Sequence, residues 1–298
     1  MKRRDFLNST ALAAVAVSTS GFIRFNGQNF AGDCETTTDI LGPFYRPGSP
    51  VRNTLLVKGE EGVPIELYGT IRHNDCSSPY KNAKVELWHC DKDGVYDNTS
   101  NQFRYRGTTH TDDKGSYSFN SILPVPYDAG GGMIRPAHFH LIITAEGYQP
   151  FVTQLYFTGD KNIANDPAAA SPTAERRILN VENLNNGSKK VNYDVSMALS
   201  LAVEAVALKK LTGSYTSTKE PKDKKEFFIK DNHLWLKNEV FGEMYEYVGH
   251  NKFEYPGMPP GSYSSLQFEI LATGAVQLTM AEAYGTYVSP TEIFIKES

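Results

Sequence analysis

Residues 138–146 read HFHLIITAE, with MIRPA at 133–137 directly before them. In an extended strand side chains alternate with a period of two, so His138 and His140 point to one face. Phe139, with Ile142 or its neighbours, is left for packing, and the two rings take the opposite face. A strand of this kind reads as one wall of a β-rich core and as half of a metal site.

The surrounding chain is written in the same way. PIELYGTIRH (64–73), AKVELWHC (83–90), GSYSFNSIL (115–123) and FVTQLYFTG (151–159) are separated by turn-rich NDCSSPYKN, DDKG, PVPYDAGGG and EGYQP. Short strands spaced regularly between Gly, Pro, Asn and Asp turns predict an all-β chain with an antiparallel β-sandwich. Over 161–198 the character changes, and a short helix is expected around 174–179 before a last sandwich strand in VNYDVSMALSL. The Ala, Leu and Glu content of LSLAVEAVALKKL favours a helix over part of its length. LTGSYTS then opens a second set of strands in KEFFIKDNHLWLK, FGEMYEYVGH, NKFEYP, SSLQFEILATGAVQLTMAEA and TEIFIKES. Six or seven such strands suggest a small antiparallel barrel or half-barrel. The expected organisation is a leader over 1–22, a sandwich over 23–200 and a barrel over 201–298.

Two domains suit a chain of 298 residues that is 40% hydrophobic. The net charge of -4 provides no basic face for nucleic acid, and no run of about 18 apolar residues could span a bilayer. The N-terminus, MKRRDFLNSTALAAVAVSTSG, sets Arg3 and Arg4 before Phe6 and Leu7 and a short stretch rich in Ala and Val. This fits a twin-arginine export signal and a periplasmic or extracellular destination. Three cysteines, Cys34, Cys76 and Cys90, leave the pairing open, a Cys76–Cys90 bridge being one arrangement. The lack of any Cys-x-x-Cys argues against a zinc site.

Further ligands for the imidazoles are few. Asp128 is near, but beside it Tyr127 sits in ILPVPYDAGG, a loop stiffened by prolines and followed by glycines. Tyr96 follows the turn in DKDGVYDN, after the AKVELWHC strand. A phenolate is a hard anionic donor, and a phenol pKa near 10 means that only a strong Lewis acid holds it ionised at neutral pH. Two imidazoles with two phenolates would select Fe(III) over zinc, calcium or magnesium.

LGPFYRP (41–47), VELWHCDKDGVY (85–96), RGTTHTDDKGSYSFNSILPVPY (106–127), RPAHFH (135–140) and TQLYF (153–157) together resemble the intradiol ring-cleavage dioxygenases. These are non-haem ferric enzymes of the catechol, protocatechuate and hydroxyquinol dioxygenase group. The resemblance spans about residues 36–165 and implies metal ligands Tyr96, Tyr127, His138 and His140. It implies an arginine, Arg135, that stabilises charge on the substrate, and a glutamine, Gln154, that orients it. Tyr127 is the implied displaceable ligand. Partners would be a small catecholic substrate and O2, with homo-oligomerisation left open.

Departures from the family pattern are the absence of a long helical segment before LGPFYRP, the family's helical dimerisation region, and a short loop between Tyr127 and His138 with a compact region after Tyr96, a loop set that suggests a more open iron. His89 is expected to be structural or at the surface and His110 solvated. Arg106 is expected to brace the site, and Arg104 could meet a substrate carboxylate. Trp235, Tyr245, Tyr247 and Tyr263 are expected as barrel core more than as a binding face for a partner. The barrel resembles small lipocalin-like modules in fold only. The competing reading is a noncatalytic exported binding module built on the same sandwich. A histidine-based zinc hydrolase lacks a third ligand and a general base.

Overall fold

The computed structural model describes residues 23–25, 30–32, 36, 38–201, 203–238, 242–258, 262–284 and 287–297. The leader expected over 1–22 and Cys34 lie outside the described residues. The sandwich strands are β1 (Pro64–Arg72), β2 (Lys84–Trp88), β3 (Arg106–His110), β4 (Ser116–Ile122), β5 (His138–Thr144), β6 (Phe151–Phe157), β7 (Ile178–Leu179), β8 (Lys189–Asn192) and β9 (Val195–Ser196). One sheet runs β7-β6-β5-β2-β3, and the other sets β1 between β4 and the parallel strands β8 and β9.

Alternation along β5 divides its side chains. Phe139, Leu141 and Ile143 are fully buried between the sheets, with Val85, Leu87 and Leu155 of their own sheet and Leu67, Phe119 and Val191 of the other. Burying each such side chain contributes about 1.5–3 kcal/mol. Ile142, expected to pack with Phe139, lies instead on the histidine face beside Trp88 and Val152, because an even position shares the parity of His138 and His140. That second face is also dry. All seven residues of β6 are buried, covered by the segment leading through LGPFYRP and by the second set of strands.

Eight strands of that second set form its wall, β10 (Gly213–Ser217), β11 (Lys224–Lys230), β12 (His233–Leu236), β13 (Glu243–Gly249), β14 (Lys252–Glu254), β15 (Tyr263–Ile270), β16 (Val276–Tyr284) and β17 (Glu292–Lys296), and the two-residue strand Tyr287–Val288 pairs with the end of β16. All pair antiparallel, and the β15–β16 and β10–β17 pairings close them into a barrel. Asp231 and Asn232, both with positive φ of 50° and 59°, make the tight turn between β11 and β12 that KDNH announces. Tyr215, Phe227, Tyr245, Phe253, Phe268 and Phe294 fill the interior, as an eight-stranded barrel allows. Leu208 and Leu211 of helix α1 (Ala205–Leu211) pack into the same cluster and stop one end.

The short helix expected at 174–179 is a 3-10 turn, Pro172–Arg177, that passes directly into β7. The strand wins there because the Ile178 and Leu179 backbone pairs with Tyr156 and Phe157. Cys90 is a buried free thiol whose Sγ lies 3.5 Å from the Val125 carbonyl. Cys76 is disulfide-bonded, so the Cys76–Cys90 bridge does not form. Barrel and sandwich meet where Leu41 N donates to the Gly257 carbonyl at 3.3 Å and Ser200 Oγ donates to Glu246 Oε1 at 2.7 Å.

Candidate metal centre

β5 supplies His138 and His140, and its neighbours set the rest of the face by register. Trp88 of β2 and Gln154 of β6 flank His140, and Tyr156 flanks His138. Trp88 stacks on the His140 ring with centroids 4.9 Å apart and planes 8° from parallel. Tyr96 arrives from the turn after β2, where Asp91 Oδ1 accepts the Asp93 and Val95 amides, both at 2.9 Å. Phe44 of LGPFYRP stacks on Tyr96 at 4.3 Å. Tyr127 begins the two-residue strand Tyr127–Asp128, which pairs with Ile134–Arg135 across the glycine turn.

Two glycines are required by this crowding. At Gly94 (φ +81°) a Cβ would stand 2.8 Å from Tyr127 Cβ, and at Gly42 (φ +75°) it would stand 2.8 Å from His140 Cε1. Both conformations also disfavour any L side chain.

The polar tips converge. His138 Nε2 is 3.1 Å from His140 Nε2 and 3.3 Å from Tyr96 Oη, and His140 Nε2 is 3.2 Å from Tyr96 Oη. The Tyr127 ring stands edge-on to Tyr96 with centroids 5.5 Å apart, and its centroid lies 5.6 Å from that of His138. His138 Nδ1 faces the Pro136 carbonyl at 2.6 Å; that oxygen only accepts, so Nδ1 carries the ring proton and Nε2 presents a bare lone pair. Burial, with Arg135 adding to it, pushes the His138 pKa down to about 3, and burial with His138 holds His140 well below the ordinary value.

His138 Nε2 thus aims a lone pair at the point where His140 Nε2 and the Tyr96 hydroxyl also meet, His140 Nδ1 is buried without a partner among the described residues, and the three contacts have too few protons to join them all. This donor set suits a cation, and atoms bound at about 2 Å around one metal stand roughly 3 Å apart. Among the described residues no group of three His, Cys, Asp or Glu side chains converges, so the tyrosines distinguish this site. Burial, then the neighbouring Tyr127, raises the Tyr96 pKa well above the phenol value; burial raises that of Tyr127 too, opposed by Arg135. Ionising either phenol therefore calls for a strong Lewis acid.

Arg135 stands behind the two tyrosines. Its Nε pairs with Asp166 Oδ2, and its Nη2 donates to Gln154 Oε1 at 2.6 Å. Burial opposes its charge, but Tyr156, Asp166 and Tyr127 hold the guanidinium protonated. Gln154 is wholly enclosed, its Nε2 donating to the Ile40 carbonyl at 3.1 Å. Its amide therefore holds Arg135 and the LGPFYRP segment. Tyr156 Oη lies 2.9 Å from Gln154 Oε1 and 3.1 Å from Asp39 Oδ2, and Asp39 pairs with the fully buried Arg177.

Sequence reasoning missed Asp39, Tyr156, Asp166 and Arg177. Tyr156 was within reach, since TQLYF gives it the parity of Gln154; the others come from loops without a periodic pattern. The imidazoles and Tyr96 are buried and Tyr127 is half-buried, a more enclosed arrangement than the short loops suggested.

The remaining residues lie outside this convergence of side-chain tips. His89 is buried and bonded through Nε2 to Ser121 Oγ at 2.7 Å, and burial takes its pKa down to about 4. His110 is exposed at the end of β3. Arg106 donates to the carbonyls of Asp97 (2.8 Å) and Phe44 (2.7 Å), joining the Tyr96 loop to LGPFYRP. Arg104, considered for a substrate carboxylate, pairs with Glu60. In the barrel Tyr245 is core, Tyr247 packs on that core, Tyr263 is exposed and Trp235 is half-buried, so the four share no face.

A family model described as Dioxygenase matches residues 40–200. A chlorocatechol 1,2-dioxygenase of Rhodococcus opacus is 34% identical over 158 residues, 45% of this chain and 61% of that protein. A catechol 1,2-dioxygenase of Candida albicans is 31% identical over 194 residues, 57% of this chain and 63% of that protein. The chain thus spans less than two thirds of the length of these relatives. The solved 3-chlorocatechol 1,2-dioxygenase of Rhodococcus opacus 1CP superposes with a TM-score of 0.51 at 22% identity, covering 64% of this chain and 78% of that one, a likeness of fold.

Proposed function

Because the chain belongs to the intradiol ring-cleavage dioxygenase family, we propose that it is a non-haem Fe(III) enzyme that uses O2 to open a catechol-type ring to a muconate-type dicarboxylic acid. The observation that carries this reading is the meeting of Tyr96 Oη, His138 Nε2 and His140 Nε2 within 3.1–3.3 Å, with the Tyr127 ring edge-on to Tyr96. Tyr96, Tyr127, His138 and His140 would hold the metal. Bound ferric iron would supply a Lewis acid for the two diol oxygens that draws electron density from the ring.

The chain's own groups do the rest. His138 and His140 stay neutral and keep their Nε2 lone pairs free to bind. Tyr96, enclosed beneath Phe44, keeps its place. Tyr127, half-buried on its glycine-bearing hairpin, would be the displaceable donor and would hold one diol proton on its Oη. Arg135, fixed by Asp166 and Gln154, is a preorganised cation for the negative charge that develops as the ring opens. Phe44, stacked on Tyr96, and Tyr45, tilted against Trp88, help to keep water out. The intact donor quartet favours this enzyme over a noncatalytic binding module.

Two further parts of the reading concern organisation and destination. Separate hydrophobic clusters, one from Leu55 to Met197 and one from Leu208 to Phe294, support a sandwich over 23–200 and a barrel over 201–298. Arg3 and Arg4, with a disulfide at Cys76, support export by the twin-arginine route into an oxidising compartment; fractionation of parent and Arg3→Lys/Arg4→Lys cells tests it.

Oxygen uptake against a panel of catechol, chlorocatechol, hydroxyquinol and protocatechuate tests the activity. The iron-loaded protein should show a visible tyrosinate-to-iron charge-transfer band and consume O2, and Tyr96→Phe and His138→Ala should lose both. A colourless iron-loaded protein, or variants that consume oxygen like the parent, would refute the assignment.

A further inference from the structure

Where the barrel leans over the outer face of β2, β5 and β6, the two halves of the chain enclose a cleft of about 750 Å3. None of the four candidate metal ligands lines it. The cleft is separated from them by two rings: Tyr45, which does line it, lies 5.1 Å from Trp88, and Trp88 stacks on His140. Its volume falls in the range of small-molecule sites, about 300–1,000 Å3.

The chemistry of its walls narrows the occupant. The charges nearly cancel, with Lys81, Lys84 and Lys230 facing Glu86, Glu146, Asp231 and Glu243, so nothing selects an anion or a cation. Aromatic surface comes from both sides, Tyr45 from the sandwich segment, Trp235 and Tyr255 from the barrel. Trp235 leans on Phe228 and carries the mobile ammonium of Lys230 4.9 Å from its ring centroid.

At depth stands Glu86, only 4% exposed. Its carboxylate is met by the Tyr45 hydroxyl and by Ser49 Oγ, 3.5 Å from Oε1, while Lys84 Nζ lies 2.7 Å from Oε2. A carboxylate offers about four acceptor positions, so three donors leave one acceptor position and Glu86 can accept from a ligand hydroxyl. Ile142, Val152 and Met244 line the same space. A polyol would leave hydroxyls against them without partners, at roughly 1–3 kcal/mol each. An aryl ring with a hydroxyl at its edge would not.

We propose that this cleft is a second binding site, distinct from the ring-opening centre, that takes a neutral phenolic ring between Trp235 and Tyr45 with its hydroxyl on Glu86. It deepens the ring-opening reading, on which it rests for its biological sense, by giving a multi-ring phenol a hold outside the metal centre. Its test needs no turnover.

Calorimetric titration of the full chain with p,p′-biphenol, a two-ring phenol without adjacent hydroxyls, should show saturable binding that Tyr96→Phe, a change at the metal centre, leaves unchanged. Trp235→Ala and Glu86→Gln should each weaken binding by roughly tenfold or more, while Trp235→Phe retains it and KM for single-ring catechols stays at the parent value. Absence of binding, loss of binding in Tyr96→Phe, or unaltered affinity in both weakened variants would overturn the proposal, as would binding of cellobiose in place of the biphenol. If the chain consumed no oxygen with any catechol yet bound biphenol in this way, the ring-opening reading would fail and the second site would stand.

Discussion

Removing one charge of the Asp39–Arg177 pair should cost far more stability than removing both. The two side chains are completely enclosed behind the candidate metal centre. Asp39 also accepts the Ile40 amide at 2.8 Å and contacts Tyr156 Oη at 3.1 Å, whereas Nε and Nη2 of Arg177 meet no partner among the described residues. Burial outweighs the attraction of Arg177 and holds the Asp39 pKa above the ordinary carboxylate value.

Arg177→Met would leave that carboxylate without its main counter-charge, a loss of about 3–5 kcal/mol. At about 2–4 °C per kcal/mol for a unit of this size, Tm should fall by ~6–20 °C. The pH dependence has a definite sign. In the variant the folded pKa of Asp39 rises further above its unfolded value, so the folded state binds the proton more tightly. The deficit should therefore shrink toward pH 5, where Asp39 neutralises readily, and grow toward pH 8. Asp39→Asn/Arg177→Met removes both charges and should lie within about 1–2 kcal/mol of the parent, since a buried pair contributes little net stability. Urea unfolding followed by circular dichroism at pH 5, 7 and 8 measures all of this. Single variants costing under about 1 kcal/mol, a double variant equal to the sum of the singles, or a deficit flat in pH would refute the reasoning.

Gly42→Ala forces a left-handed backbone on alanine, at about 1–2 kcal/mol, and drives its Cβ toward His140; thermal unfolding should show that loss and metal analysis a lower iron content after loading. His233 on β12 pairs with Glu246 at 3.3 Å, and that contact raises its pKa above 6.5. The pair's stabilisation, no more than about 1 kcal/mol, is complete below pH 6.5 and is lost as pH rises through the folded pKa. His233→Gln should accordingly lower Tm at pH 5.5 and have little effect at pH 9. Burial pushes the Cys90 thiol up to about 11, so a thiol-specific reagent should leave it untouched in the native protein and label it on unfolding.

Much of this molecule is written locally. Period-two alternation in HFHLIITAE is enough to place His138 and His140 on one face and Phe139 on the other, because strand geometry acts residue by residue. The same logic, taken one step further, assigns Ile142 to the histidine face. Turn chemistry in KDNH and the helix formers of AVALKKL are equally local, and the structure contains both the turn and the helix.

What no local pattern contains is which distant groups share a burial. Gln154 is polar in a strand and reads as a group for the substrate, yet closure of the loops around Arg135 and Ile40 engages its amide inside the protein. Asp39 and Arg177 lie far apart in the chain and meet only because β6 is covered on both faces, so that each charge must find its partner out of water. The cleft beneath Trp235 exists only because the barrel rests against the sandwich. Sequence by itself determined the strands, their faces and the four candidate donors; tertiary packing decided which polar groups are dry, and hence which are paired and which remain available to a ligand.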